Sequence, residues 1–423
     1  MHFVIIGAGP AGINAAEHLR KLDKNADITV IGEEKEPPYS RMALPYYLTK
    51  QIDETGTFLR KASGHYQSLN IQVVQQQVKA IKPAQKTLVL DNGQDIHFDK
   101  LLIATGSRPV KPPIPGIDLP GIHNCWTLED GRKIAAQIKP GSRVVLMGAG
   151  FIGCIILEAL VKSGAELTVI EMGDRMVPRM MNEKAGGLIQ QWCTDKGVDI
   201  LTGTMITAIE QDDGSLLVRL DNGESKTADL VVSAAGVKPN IGFLAGSGIK
   251  TDQGILVDRH FQTNIADIYA AGDVAQGLDF STGDYAVQAI QPTATDHGLL
   301  AAKNMAGARA AVHQGSVNMN VLDTMGLIAC SFGLWMGIEN GEMVERYLPE
   351  RYRYLNLQFD DDCLIGATAI GLTEHVGVLR GLIQSRIKLG HWKQRLMQDP
   401  TRIMEAYLCC TQAIGANASL PAR

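Results

Sequence analysis

The sequence lacks any Cys-x-x-Cys pair. Its seven cysteines, Cys125, Cys154, Cys193, Cys330, Cys363, Cys409 and Cys410, are scattered, and Cys409-Cys410 is the only close pair. Zinc and iron–sulfur sites need clustered thiolates, so neither is expected, and no metal is assigned. Adjacent cysteines bridge poorly, and disulfide frameworks belong to small secreted domains. The cysteines therefore read mostly as small buried apolar residues. No apolar run approaches the roughly 18 residues that span a bilayer. There is no basic excess of the kind that grips nucleic acid: 40 Lys and Arg stand against 45 Asp and Glu, a formal net charge of −5. The first apolar strand begins within a few residues of Met1, which leaves no room for a cleavable leader. A cytoplasmic protein is the simplest reading.

What is present is a chain of 423 residues, 45% hydrophobic and 20% charged, which is ordinary globular composition and enough for two or three domains. Two glycine fingerprints stand out. Gly7-Ala8-Gly9-Pro10-Ala11-Gly12 follows the apolar run Phe3 to Ile6, and Gly148-Ala149-Gly150-Phe151-Ile152-Gly153 follows Val144 to Met147. Each opens a helical pattern, and an acidic residue follows each: Glu33 about 20 residues on, Glu171 about 18. The first glycine makes the turn out of the strand. The second lets a pyrophosphate approach the backbone, and the third lets the helix pack on the sheet. The helix N-terminus then offers free N–H groups and a partial positive charge to the phosphates. A single fingerprint is weak evidence; two in one chain point to two dinucleotides exchanging electrons.

The organisation follows from these landmarks. Asp27 to Ile31 reads as a second strand, and Leu101 to Gly106 as a later strand ending in a glycine turn. Pro109, Pro112, Pro113 and Pro115 then mark a crossing. A second βαβ unit runs from about Ser142 to Pro239, with strands at Val144 to Met147, Leu167 to Glu171 and Leu230 to Ala235. Ile268 to Asp273 again looks like a strand ending at a glycine turn, so the second domain is expected to be inserted into the first. Tyr352 to Phe359 alternates like a half-buried strand. Val378, Leu379, Leu382, Ile383, Ile387 and Leu389 form a helical stripe, Pro400 breaks it, and the end from Gly415 reads as unstructured. The expected architecture is α/β: two Rossmann-like domains, 1–110 with 241–314 and 111–240, plus a small α+β domain with a helical tail, 315–423.

The order of motifs is GxGxxG, Ala104-Thr105-Gly106, GxGxxG, Gly236-Val237-Lys238-Pro239-Asn240 and Ala271-Gly272-Asp273. It resembles the FAD-dependent pyridine-nucleotide oxidoreductases, most closely the rubredoxin-reductase and nitrite-reductase flavin-subunit branch, over about residues 1–370. The resemblance implies a glutathione-reductase-like FAD/NAD(P) fold. It implies that Gly7, Gly9, Pro10, Ala11 and Gly12 hold the FAD pyrophosphate, with Glu33 on the ribose and Val78 by the adenine. Asp273, beside Gly272, then matches the aspartate of the ribityl and phosphate region; a helix cap is its other reading. Gly148, Gly150, Phe151, Ile152 and Gly153 become the NAD(P)H site. Glu171 favours NADH over NADPH, because a carboxylate accepts both ribose hydroxyls and repels a 2′-phosphate; nearby Arg175 could soften that preference. The helix opening at Gln291, which carries Thr293, points its N-terminus at the flavin in this family. His297 on it reads as structural rather than catalytic.

Two departures from the family pattern matter. Relatives that reduce disulfides carry a redox cysteine in Cys-Gly-Leu-Pro-Tyr-Tyr, where this chain reads Met42-Ala43-Leu44-Pro45-Tyr46-Tyr47. A thioether forms no thiolate, which excludes thiol chemistry at that position. Arg41 resembles the basic residue near the flavin, a surface arginine being the alternative. Relatives also carry Glu two residues past the last glycine of the NAD fingerprint; here Ile155 stands there, with Glu158 one turn further on. The expected activity is hydride transfer from NADH to flavin N5, then transfer to a small iron–sulfur or rubredoxin-type carrier or a larger redox complex, in either direction. An oxidase using O2 and a flavoprotein with a mainly binding or assembly role remain as alternatives. Dimerisation through the third domain is implied by resemblance alone. Arg380, Arg386, Lys388, Lys393, Arg395 and Arg402, interrupted by Trp392, make the tail basic. That tail either closes the third domain or docks an acidic carrier.

Overall fold

The computed structural model describes residues 1–307 and 311–418. In chain order the elements that position the site are β1 (His2–Ile6), α1 (Pro10–Leu22), β2 (Asp27–Gly32), β3 (Ile71–Gln75), β4 (Lys100–Ile103), β5 (Ile122–Asn124), β6 (Arg143–Met147), α2 (Phe151–Lys162), β7 (Glu166–Ile170), β8 (Asp199–Leu201), β9 (Leu230–Ser233), β10 (Ile268–Ala270) and α3 (Gln291–Met305). They are followed by β11 (Met319–Thr324), β12 (Leu327–Gly333), β13 (Glu342–Leu348), β14 (Arg353–Asp360), β15 (Cys363–Ile370), α4 (Val376–Ser385), α5 (His391–Gln398) and α6 (Ile403–Ala418).

Two parallel sheets share one plan. The first has the order β10-β4-β1-β2-β3 and the second β8-β7-β6-β9-β5. Each fingerprint strand, β1 or β6, lies centrally between parallel neighbours. Both faces of such a strand are covered, which is why its sequence is an unbroken apolar run rather than an alternation. Pairing of Tyr269 with Leu102 returns the chain to the first sheet after the second is complete. The sequence reading missed β5. Its three residues, Ile-His-Asn, carry no strand periodicity, yet they extend the second sheet beside Val231–Ser233.

The third sheet is antiparallel, in the order β11-β12-β15-β14-β13. One face joins the core of the second sheet: Leu322, Leu327, Tyr354 and Ile370 cluster with Val144, Leu146 and Leu157. The other face is covered by the tail, through Leu379, Leu382, Trp392, Leu396 and Ile403. Here the half-buried alternation expected of Tyr352 to Phe359 fails. Residues 354 to 357 are all buried, because both faces of the strand are covered. Residues 415–418, expected to be unstructured, continue α6, and 419–423 lie outside the described residues. Trp392 is a core residue at 4% exposure, with the Arg395 and Arg402 guanidiniums against its ring. The tail therefore closes the third sheet. Removing the residues after Leu389 would strip that core, so such a truncation cannot separate docking from folding. Among the described residues no helix is long and apolar enough to cross a membrane.

Candidate functional site

A cavity of about 700 Å³ lies along the C-terminal ends of the first sheet's strands and reaches α2. That size suits a bound cofactor. Gly7, Gly9, Pro10, Ala11, Glu33 and Val78 form one end of its wall, and Ala104, Thr105, Gly106, Gly272 and Asp273 continue it. The glycines divide the work. A Cβ on Gly12 would sit 2.0 Å from the Gly7 carbonyl oxygen, so helix and turn meet only if position 12 has no side chain. A Cβ on Gly9 would meet nothing within 4 Å, and its φ of −80° suits any residue. The second fingerprint repeats the pattern: Gly153 lies 2.1 Å from the Gly148 oxygen by the same measure, and Gly150 is open. A residue that is glycine without needing to be for the fold leaves room for something outside it, here a pyrophosphate at the start of α1. The residues present thus fit FAD.

One wall of the cavity is a connected polar chain. The Ser107 hydroxyl donates to Asp273 Oδ2 at 3.0 Å, and the Ser107 carbonyl accepts from Trp126 Nε1 at 3.0 Å and Arg41 Nη1 at 3.2 Å. Arg41 pairs with Glu34 at 2.8 Å and lies 4.9 Å from the Trp126 ring centroid. Tyr39 donates to the other Glu34 oxygen at 2.5 Å. Burial pushes the Asp273 carboxyl above its ordinary value, with the Ser107 hydrogen bond and the Arg41 charge opposing. Arg41 is thus a cavity-wall residue. Ser107, Trp126 and Glu34 were missed in the sequence, where no motif distinguishes them. Glu33, exposed at the far end, accepts from Gln77 Nε2 at 3.2 Å.

The thiol reading holds in space. Met42 lines the cavity at 43% exposure. Cys125 also lines it, but burial pushes its thiol up to about 12, so it is no thiolate at neutral pH. Four of the seven cysteines are buried, in line with the expectation that most are; Cys363 and Cys410 are half-buried and Cys409 is exposed.

Phe151, Ile152 and Ile155 bring the second fingerprint's helix to the same cavity. Gly148, Gly150, Gly153, Glu171 and Gly236 do not line it. Glu158 is turned away, accepting from the Met325 N–H at 3.0 Å and pairing with Lys162, so it does not replace the missing glutamate. Glu171 is buried against its own fingerprint: one carboxylate oxygen accepts from the Ala149 N–H at 2.6 Å, the other from the Gly173 N–H at 2.7 Å. Arg175 donates to the Met181 carbonyl at 2.9 Å and pairs with Asp174.

Helix α3 begins at the cavity, where Gln291 and Ala294 line the wall and Ser40 donates to Gln291 Oε1 at 2.6 Å. Thr293 is buried beside them and does not line it. His297 lies deeper, bonded through Nε2 to the Ser316 hydroxyl at 2.8 Å and packed 4.5 Å from Phe261. Burial pushes it down from 6.5 to about 3, with His313 adding to the shift. His297 stays neutral in the folded chain and protonates near 6.5 in the unfolded one. The unfolded state therefore binds more protons between those values, and stability falls as pH drops through that window. We expect a loss of about 1.4 kcal/mol per pH unit below 6, seen as a falling melting temperature and reduced in His297→Gln.

A family model described as pyridine nucleotide-disulphide oxidoreductase matches residues 1–315. The chain is 33% identical over 403 residues to the NADH-dependent phenylglyoxylate dehydrogenase subunit epsilon of Aromatoleum evansii, covering 95% of this chain and 96% of that one. It is 34% identical over 279 residues to rhodocoxin reductase of Rhodococcus erythropolis, 65% of each. Among solved structures, the ferredoxin reductase for the CYP199A2 system of Rhodopseudomonas palustris superposes with a TM-score of 0.82 at 26% identity, over 89% of this chain and 92% of that one.

Proposed function

The chain belongs to the pyridine nucleotide-disulphide oxidoreductase family, and from that premise we propose that it moves electrons between NAD(H) and a protein redox carrier through FAD, with no thiol step. The observation that carries this reading is the single cavity shared by the first fingerprint and the second fingerprint's helix, with Met42 at the thiol position. FAD, when bound, supplies the hydride acceptor and the one-electron release. The chain's own residues do the rest. The start of α1 receives the pyrophosphate, Glu33 the ribose and Asp273 the ribityl chain. The start of α3 lies at the cavity wall, where its partial positive charge would favour negative charge on a bound flavin. Arg41, held by Glu34 over Trp126, would offer a bound flavin a fixed cation from the cavity wall. Phe151, Ile152 and Ile155 give the nicotinamide a dry apolar bed.

The division into 1–110 with 241–314, 111–240 and 315–423 is our reading of the domains, and the three sheets support it. NADH is the preferred nucleotide in this reading: Glu171 presents a fixed carboxylate, and Arg175 is occupied by Met181 and Asp174. A partner that is a larger complex is favoured by one comparison, since the relative matching 95% of the chain, tail included, is a dehydrogenase subunit. The test is steady-state reduction of a one-electron carrier by NADH before and after alkylation with iodoacetamide. Unchanged turnover is expected, whereas loss of turnover on alkylation would refute a thiol-free route. Transfer to O2 at the carrier's rate would favour an oxidase.

A further inference from the structure

Of the six cations that the sequence groups in its tail, four are engaged, while Arg380 donates only to Gln384 and Lys388 is exposed. Lys393 pairs with Glu342, Arg402 with Glu405, and Arg395 lies on Trp392. Arg386 donates to the Phe280 carbonyl at 3.0 Å and lies 4.8 Å from that ring. Two cations elsewhere stand face to face. Ser107–Pro109 and Val237–Pro239 form a two-stranded antiparallel ribbon, the two passages of chain between the first and second sheets. Within it Arg108 directly faces Lys238. Both are exposed. Among the described residues neither makes an ion pair; Arg108 donates only to Asn240 Oδ1 at 3.3 Å, while nearby Lys111 does find a carboxylate, Asp118.

Like charges directly opposite each other across an antiparallel pair destabilise it. Nothing in the ribbon demands them, since both side chains point to solvent. Arg108 also borders the cavity, so the pair stands at its mouth. The chain as a whole carries a net charge of −5, whereas this facing, exposed pair is cationic on both strands.

We propose that Arg108 and Lys238 are the docking point for an acidic protein, the redox carrier itself. This rests on the electron-transfer reading above. The unrelieved repulsion in the free protein is relieved when carboxylates of the partner lie across both cations, and the field they cast speeds the encounter.

The variant Lys238→Glu sets an acid opposite Arg108 and so turns repulsion into attraction. It is expected to raise the melting temperature while weakening the partner. With a small acidic [2Fe–2S] ferredoxin as probe, calorimetric Kd and the rate of transfer should both worsen about tenfold at low salt. The gap should close at about 0.5 M salt, where screening is short-ranged. Lys238→Gln should show the same trend at a smaller amplitude. Ferredoxin affinity unchanged by either substitution would overturn the proposal. So would a raised KM for NADH with unchanged ferredoxin affinity, which would assign the pair to the nucleotide's phosphates. Calorimetry needs no turnover, so a wild type that binds ferredoxin through this pair but is not reduced by NADH would refute the electron-transfer reading and leave the docking point standing.

Discussion

A Gly9→Val protein is expected to fold and to be colourless. Position 9 has an ordinary φ of −80°, and a Cβ there meets no protein atom within 4 Å. The first added carbon therefore meets no protein atom and the backbone is not strained. It fills the space through which a pyrophosphate reaches the first N–H groups of α1. Losing two charge-assisted hydrogen bonds costs about 3–6 kcal/mol, a hundredfold or more in FAD Kd. The control is Gly12→Val, whose side chain would meet the Gly7 carbonyl at 2.0 Å. That variant should lose at least about 1–3 kcal/mol of stability as well as the flavin. Titration of the two apo-proteins with FAD, followed by flavin fluorescence alongside urea unfolding, separates the roles. A Gly9→Val protein that keeps wild-type FAD affinity would contradict the assignment of that glycine.

The second large effect is expected at Glu171. Glu171→Ala should retain FAD but lose about a hundred- to a thousandfold in kcat/KM for NADH. The change removes the acceptor offered to the ribose hydroxyls. It also leaves the Ala149 and Gly173 N–H groups without the carboxylate oxygens that hold them at 2.6 and 2.7 Å. An ionised acceptor to two ribose hydroxyls is worth about 1.5–2 kcal/mol for each bond, about 3–4 kcal/mol in total, and each 1.4 kcal/mol is tenfold; the N–H groups left unpaired cost fold stability instead, about 1–3 kcal/mol each. The loss should fall mainly on KM, and the ratio of NADPH to NADH activity should rise as the negative charge disappears. Steady-state kinetics with both nucleotides checks this. An unchanged KM for NADH would place the nucleotide's ribose elsewhere.

The parts of this molecule that obey local rules were readable from the sequence. Phe3 to Ile6 and Val144 to Met147 announce doubly buried parallel strands because no polar residue interrupts them, and the glycines after each fix a turn that few other residues tolerate. Strand Ile122–Asn124 was invisible because its pairing partner, Val231–Ser233, is about 110 residues away, and three residues carry no period. Trp126, Ser107 and Glu34 escaped for a similar reason: their link to Arg41 and Asp273 is made by folding three distant segments together. The tail kept two readings in the sequence. Its helical stripe is seen to close the third sheet only once Trp392 is buried there, with Arg395 and Arg402 stacked on its ring and Lys393 paired with Glu342. Arg108 was unremarkable in the sequence and Lys238 only one letter of a motif; their pairing becomes notable only when the ribbon sets them face to face.

Anaerobic titration of the purified yellow protein with NADH tests the shared cavity most directly. If flavin and nicotinamide meet there, one equivalent of NADH bleaches the flavin absorption within the mixing time of a rapid-reaction instrument. A protein that stays yellow under excess NADH, or that is colourless and takes up no added FAD, would contradict it.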